Sequence, residues 1–405
     1  RGSTDGTRLR QAICLVAHSR PERKRRSSAV DRALAPASLR AFDTRTGNVV
    51  DDRSGLMDSG VSRRLQAAVE AQVAAGAPGA LARVEAPRAG VVWGGSAGYL
   101  ARGGGRAFRP GDAFRVASVT KSVTAAVVVR LTREGRLALD EHLSEQFAPE
   151  LFERWRVLDA LPRTTLRQLL THTAGVPNYF GEEAFLARLR EDPGRTWRPV
   201  ELVDHAAAHG TPPFRAGQGF QYSDTGFVIA GILAEQATGR PLHEIFRQLV
   251  FDPLGMDETW LEGHEPARNP EPAHHYLDEL DLTTISPTMD WAGGGLVTTA
   301  PDLVRFVRGL WSGQILDAGA LSELTRWTPG ASFPPGHRLR YDRYGLGIGS
   351  ITVDGVELVG HTGFIGAFAF HANAYDAVLV GTHNASEVDR WPLVAAICRE
   401  LRDAA

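Results

Sequence analysis

Lysine is nearly missing from this 405-residue chain. Of its 45 basic residues only Lys24 and Lys121 are lysine, and the rest are arginine. Arginine stays charged at any working pH, whereas a lysine amine can lose its proton in a suitable pocket. A chain that meets its charge needs with arginine has no general use for lysine, so the two exceptions mark places to inspect. Cysteine is as scarce: Cys14 and Cys398 form neither a disulfide scaffold nor a zinc site. No apolar run approaches the roughly 20 residues that span a bilayer. Neither sign of charge dominates, and a net charge of −2 gives no global case for nucleic-acid binding. With 43% hydrophobic and 23% charged residues, the composition is that of a globular protein. The length exceeds one ordinary core and predicts two subdomains or one large domain.

Residues 1–56 stand apart. They carry a basic excess, concentrated in Glu22-Arg23-Lys24-Arg25-Arg26-Ser27-Ser28, with no apolar period. This reads as a solvated arm, with tethering to an acidic partner as the alternative. Gln11 to Ala17 is too short and poorly flanked for a signal peptide. Localisation and oligomeric state stay open. Globular patterning begins at Met57. Helical spacing runs from Val61 to Ala75 and from Ala117 to Arg133, and strand-like segments cover Ala80–Glu85 and Gly90–Tyr99. Helical patterns dominate to about residue 285. Helices are predicted over Ala300–Leu310, Ala318–Trp327 and Trp391–Arg402. Short strands are predicted over Tyr344–Gly349, Ile351–Val353, Val356–Gly360, Ala367–Ala372 and Ala377–Thr382. The expected organisation is a domain over 57–405. Residues 57–117 and 286–405 form its α/β body, and 118–285 form a mainly helical part. A cleft between the two is the natural site.

Three segments carry chemistry. Ser118-Val119-Thr120-Lys121 opens the predicted helix that follows a strand-like Phe114–Val116. A serine and a lysine three apart share one helical face, and a helix N-terminus favours developing negative charge. A serine beside an amine there can act as a nucleophile. Alone, Ser-x-x-Lys is a common spacing, and Ser118 serves equally as an N-cap. Lysine scarcity decides between the two readings. Lys121 is the only lysine after residue 56, and a proton acceptor is the one role arginine cannot fill. The second segment is Gln221-Tyr222-Ser223-Asp224-Thr225-Gly226, ahead of an apolar helix from Phe227 to Ala237. The third is Gly360-His361-Thr362-Gly363-Phe364, on a predicted strand.

In order, these segments reproduce the serine–lysine, second and third motifs of β-lactamases and penicillin-binding proteins. The chain resembles the serine β-lactamase-like family, and within it the class C, DD-peptidase and esterase branch. Leu169–Gly175, Asp252–Met256 and Ala292–Leu296 look like that branch too. The resemblance covers roughly Val61 to Leu401. It implies an α+β fold in which an antiparallel sheet is flanked by helices, with an inserted all-helical subdomain. It also implies Ser118 as the acyl-forming nucleophile. Lys121 and Tyr222 would share proton transfer, and the amides of Ser118 and Phe364 would form the oxyanion hole. Asp224, His361, Thr362, Gly363 and Gly294 would contact the substrate. Ser223 reads as structural. A Ser-Asp-Asn register is less apt because Thr225 stands where Asn would be.

Two residues depart from the family pattern. Asp224 replaces Asn, and an anion near Lys121 favours the protonated amine. Lys121 would then be a cation that makes Tyr222 a tyrosinate base. His361 replaces Lys, and neutral imidazole anchors a carboxylate poorly. Both point away from an efficient β-lactamase. The expectation is a metal-free, cofactor-free serine hydrolase acting on a small-molecule ester, amide or D-peptide, with no nucleic-acid partner and no membrane span. Transacylase, β-lactamase and non-turnover penicillin-sensor functions are the alternatives. His274-His275 lacks a third ligand at metal spacing and reads as an exposed loop. His172 reads as a hydrogen-bonded structural residue.

Overall fold

A computed structural model describes residues 59–269, 271–331, 333 and 340–404. The basic arm and its Lys24 lie outside the described residues. Seven antiparallel strands make the main sheet, in the order β2-β1-β12-β11-β10-β9-β8. They are β1 (Gly79–Ala86), β2 (Val91–Gly98), β8 (Arg343–Tyr344), β9 (Gly349–Val353), β10 (Val356–Thr362), β11 (Phe368–Ala372) and β12 (Ala377–His383). The first hairpin thus joins the last strand, through pairs such as Leu81 with Thr382. Every residue of β11 and β12 is buried, which is why these strands read as continuous apolar runs rather than as alternation.

Helices cover both faces. On one lie α1 (Ser59–Ala74) and the C-terminal α7 (Trp391–Asp403), packed together through Leu65, Val69, Leu393 and Ile397. On the other lie α2 (Thr120–Arg133) and α6 (Ala300–Trp311), continuous with a helical region that includes α3 (Glu183–Glu191), α4 (Pro199–His209) and α5 (Asp224–Thr238). The central α2 is buried along almost its whole length, from Thr120 to Val129. A three-stranded sheet of β3 (Phe114–Arg115), β7 (Leu296–Thr298) and β4 (Trp260–Leu261) ties the helical region to the body. Pairing of β4 with β7 therefore joins the two expected parts, and β5 (Tyr276–Leu277) and β6 (Leu280–Asp281) fall in the stretch read as mainly helical.

The predicted strand over Tyr344–Gly349 is only partly one. The chain leaves β8 after Tyr344 and turns over Gly345–Ile348, where Gly347 takes φ +61°. The turn docks on α2: the Ser122 hydroxyl donates to the Gly347 carbonyl at 2.7 Å. A Cβ at Gly347 would stand 2.7 Å from the Lys121 carbonyl oxygen, so a glycine is needed both for the left-handed turn and for the close approach. The His274-His275 loop also differs from expectation. His275 is fully buried, and burial lowers its pKa to about 3, so its ring is neutral. His274 is half-buried and bonds Asp281 at 2.8 Å.

Candidate active site

The site grows from the start of α2. Ala117–Val119 form a single 3-10 turn that leads into the helix. Ser118 therefore sits just ahead of α2, half-buried, where the helix amides favour negative charge. Ala117 holds the left-handed φ of +46°, a conformation costly for a side chain with a Cβ and one that clusters at functional turns. One turn later, Lys121 is completely buried. Its Nζ donates to Ser118 Oγ at 3.0 Å, Asp224 Oδ1 at 2.6 Å and the Gly293 carbonyl at 2.7 Å. Three possible acceptors surround the amine, an arrangement that suits an ammonium paired with Asp224.

Asp224 begins α5. Its backbone N–H donates to Asn178 Oδ1 at 2.9 Å, and the Asn178 amide reaches Asp224 Oδ2 at 3.4 Å. Both carboxylate oxygens thus face inward, one to Lys121 and one to Asn178. Tyr222 precedes α5, with its ring 4.9 Å from Lys121 Nζ. The Tyr222 hydroxyl is buried and completes no hydrogen bond of good geometry, although Ser118 is near enough to lower its pKa. Burial outweighs that effect. With Tyr344 and Asp224 adding to it, burial holds the Tyr222 hydroxyl well above its usual pKa. The expected tyrosinate is therefore not the resting form, because burial favours the neutral hydroxyl and the nearby Asp224 adds to that effect.

The second and third motifs are joined by a polar chain. Ser223 N–H donates to His172 Nδ1 at 3.2 Å. His172 Nε2 lies 3.2 Å from the Tyr344 hydroxyl, which lies 2.8 Å from His361 Nε2, and His361 Nδ1 lies 2.8 Å from the Thr362 carbonyl. One end is an obligate donor and the other an obligate acceptor. This fixes every hydrogen: His172 donates through Nε2, Tyr344 donates to His361, and His361 donates through Nδ1. Both rings must be neutral, in agreement with burial, which lowers His172 well below the usual value and His361 to about 3. Replacing Tyr344 by phenylalanine strands two buried ring nitrogens. The expected loss is about 2–4 kcal/mol of stability, checked by urea unfolding of the Tyr344→Phe variant.

These contacts correct part of the expected substrate surface. His361 does not line the cleft: its ring is fully buried and both nitrogens are used. Thr362 is buried as well, with its N–H donating to the Tyr341 hydroxyl at 2.7 Å. Gly363 serves by close approach. A Cβ there would stand 2.3 Å from the Val116 carbonyl oxygen, so β10 ends against the segment that carries Ser118. Arg390 donates to the carbonyls of Gly363 and Ala367, both at 2.7 Å, and pins the turn that presents Phe364. Gly294 keeps some exposed surface, and the adjacent Ala292 and Gly293 carbonyls accept from Thr124 and Lys121. Asn178, Tyr341, Tyr344 and Arg390, which the fold brings against these residues, carry no pattern that marks them in the sequence. Among the described residues, no three His, Cys, Asp or Glu side chains converge at metal-binding spacing, and no helix is long and apolar enough to cross a membrane.

A half-buried serine beside a buried lysine at a helix start, facing a Tyr-x-Asp segment and the end of a sheet strand, defines a class of protein. The chain belongs to the beta-lactamase family, whose model matches residues 65–396. Within that class it is similar to a D-stereospecific amidohydrolase from a Streptomyces species, at 32% identity and a TM-score of 0.71, covering 83% of this chain and 98% of that one. It is also similar to the D-amino acid amidase of Ochrobactrum anthropi SV3, whose structure was solved with L-phenylalanine amide, at 26% identity and a TM-score of 0.74, covering 85% and 99%. Among curated sequences it is 36% identical over 182 residues to esterase EstB of Burkholderia gladioli, covering 44% of this chain and 45% of EstB. The chain spans about half the length of the first curated relatives it matches.

Proposed function

We propose that this protein is a serine hydrolase that cleaves an amide or ester through an acyl-Ser118 intermediate. The observation that carries this reading is the fully buried Lys121 amine, 3.0 Å from Ser118 Oγ. Resting Lys121 is an ammonium and can accept the serine proton only after passing one to Asp224 along their 2.6 Å bond. That transfer turns an ion pair into a neutral pair, so no net charge is created in the buried site. Ser118 Oγ then bonds the substrate carbonyl carbon as its proton moves to Lys121. The amides of Ser118 and Phe364 receive the oxyanion. The bond to the leaving group breaks as the neutral Tyr222 hydroxyl gives that group a proton and recovers one from Lys121. Water repeats the sequence on the acyl-enzyme.

The similarity to a D-stereospecific amidohydrolase, a D-amino acid amidase and an esterase supports amides and esters as substrates. The test is hydrolysis of a panel of p-nitrophenyl esters, amino-acid amides and penicillin G by the wild type and Ser118→Ala. Turnover of amides or esters that disappears in Ser118→Ala is expected. Equal rates in the two proteins would sink the proposal.

A further inference from the structure

Among the described residues, one carboxyl group near the Lys121–Asp224 pair makes no hydrogen bond or ion pair. Asp290 follows the turn Pro287–Met289 and precedes the short helix Trp291–Gly294. Its mounting is rigid: its carbonyl accepts from the amides of Gly293 and Gly294 at 2.9 and 3.0 Å, and the Tyr179 hydroxyl donates to the adjacent Met289 carbonyl at 2.7 Å. Its side chain is half-buried and makes no hydrogen bond or ion pair among the described residues.

Two neighbouring glycines relate it to the serine–lysine pair. A Cβ at Gly294 would stand 3.2 and 3.3 Å from Asp290 Cβ and Cγ, and 3.6 Å from the carbonyl carbon of Ala117, the residue before Ser118. A Cβ at Gly293 would stand 3.5 Å from Asp224 Oδ1 and 3.6 Å from Lys121 Nζ. Gly294 thus separates the Asp290 side chain from the backbone that leads into Ser118, and Gly293 lies against the Lys121–Asp224 pair.

Charge accounting shows what the side chain can receive. Lys121 is balanced by Asp224, and Arg115 by Glu262 at 2.7 Å. Asp290 is the surplus anion. A half-buried carboxylate without a partner is costly and is relieved by a compact cation that brings its own N–H donors. In an amino-acid amide or ester, the α-ammonium stands one carbon from the carbonyl that Ser118 would attack. We infer that the Asp290 carboxylate receives the α-ammonium group of the substrate, so the enzyme prefers amides, esters and peptides whose amino end is free. This inference rests on the acyl-Ser118 reading and names its substrate class. A carboxylate at the same position of the substrate is repelled.

The groups facing Asp290 give the selectivity a pH signature. They are Tyr179, Asp224, Lys121, Arg115 and Glu262. Burial first, then Asp224, raises the Asp290 carboxyl to about 6, against the pull of Lys121 and Arg115. The group is therefore an anion above that pH and neutral below it, and a bound ammonium shifts it further toward the anion.

The experiment compares kcat/KM for D-alanine p-nitroanilide with that for its N-acetyl derivative, taking the ratio within each protein so that general losses of activity cancel. The wild type is expected to favour the free amine at least about tenfold at pH 7.5, as expected of a charged, hydrogen-bonded contact. The preference is expected to collapse in Asp290→Asn. In the wild type it should shrink about tenfold between pH 7.5 and 5, following the fraction of ionised carboxyl. That titration needs no variant and stands even if Asp290→Asn folds poorly. An unchanged ratio in Asp290→Asn, or a wild-type ratio near one or flat with pH, overturns the inference alone. Failure of any acyl donor to label Ser118 in the wild type overturns the hydrolase reading itself.

Discussion

Lys121→Arg is expected to lower acylation of Ser118 by about a thousandfold or more, the scale of a lost general base. The charge is kept, but the guanidinium cannot give up a proton to accept the one from serine. Arginine is also larger, and Lys121 is completely buried, so the variant needs a structural control. Lys121→Met supplies half of it. It leaves the Asp224 carboxylate facing inward without its cation, which for a buried pair costs about 3–5 kcal/mol. The penalty falls toward the lower end here, because the Asp224 side chain retains 17% exposure. Lys121→Met combined with Asp224→Asn removes the stranded charge. The double variant is expected to recover most of the stability measured by urea unfolding, while activity stays lost. Recovery of both would mean that Lys121 acts only as a structural cation.

Tyr222→Phe is expected to divide substrates by leaving group. An amide nitrogen must be protonated to depart, and a p-nitrophenolate need not be. Loss of a positioned acid costs roughly 10²–10⁴ in rate, so amide hydrolysis should fall by that order while p-nitrophenyl ester hydrolysis falls by less than about tenfold. Paired kcat/KM measurements on an anilide and a p-nitrophenyl ester of the same acyl group check this. If the two fall together, Tyr222 instead removes the serine proton, the role the raised pKa of its buried hydroxyl opposes.

Much of this machinery was legible in the sequence because it is local. Ser118 and Lys121 are one helical turn apart, so spacing alone places them side by side, and the scarcity of lysine singled out the amine. The second and third motifs were legible for the same reason, each lying within a few residues at the edge of a regular element. What was hidden depends on contacts between distant segments. Tyr344 matters because His172 and His361 arrive at its hydroxyl from opposite directions, and no local pattern records that. Asp290 matters because every other charge around it is paired, a property of the assembled cleft. His361 was misplaced for a related reason. Its position on the strand was read correctly as β10, but the ring turns inward to Tyr344, as its environment rather than its motif dictates.

The central claim is that Ser118 carries the acyl group. Mass spectrometry of the protein mixed with p-nitrophenyl acetate and with a D-amino-acid ester, followed by peptide mapping, tests it most directly. A transient mass increase equal to the acyl group, located on the peptide containing Ser118 and missing from Ser118→Ala, is the predicted result. An adduct that survives in Ser118→Ala, or turnover of these esters with no adduct on Ser118 at any time, would contradict it.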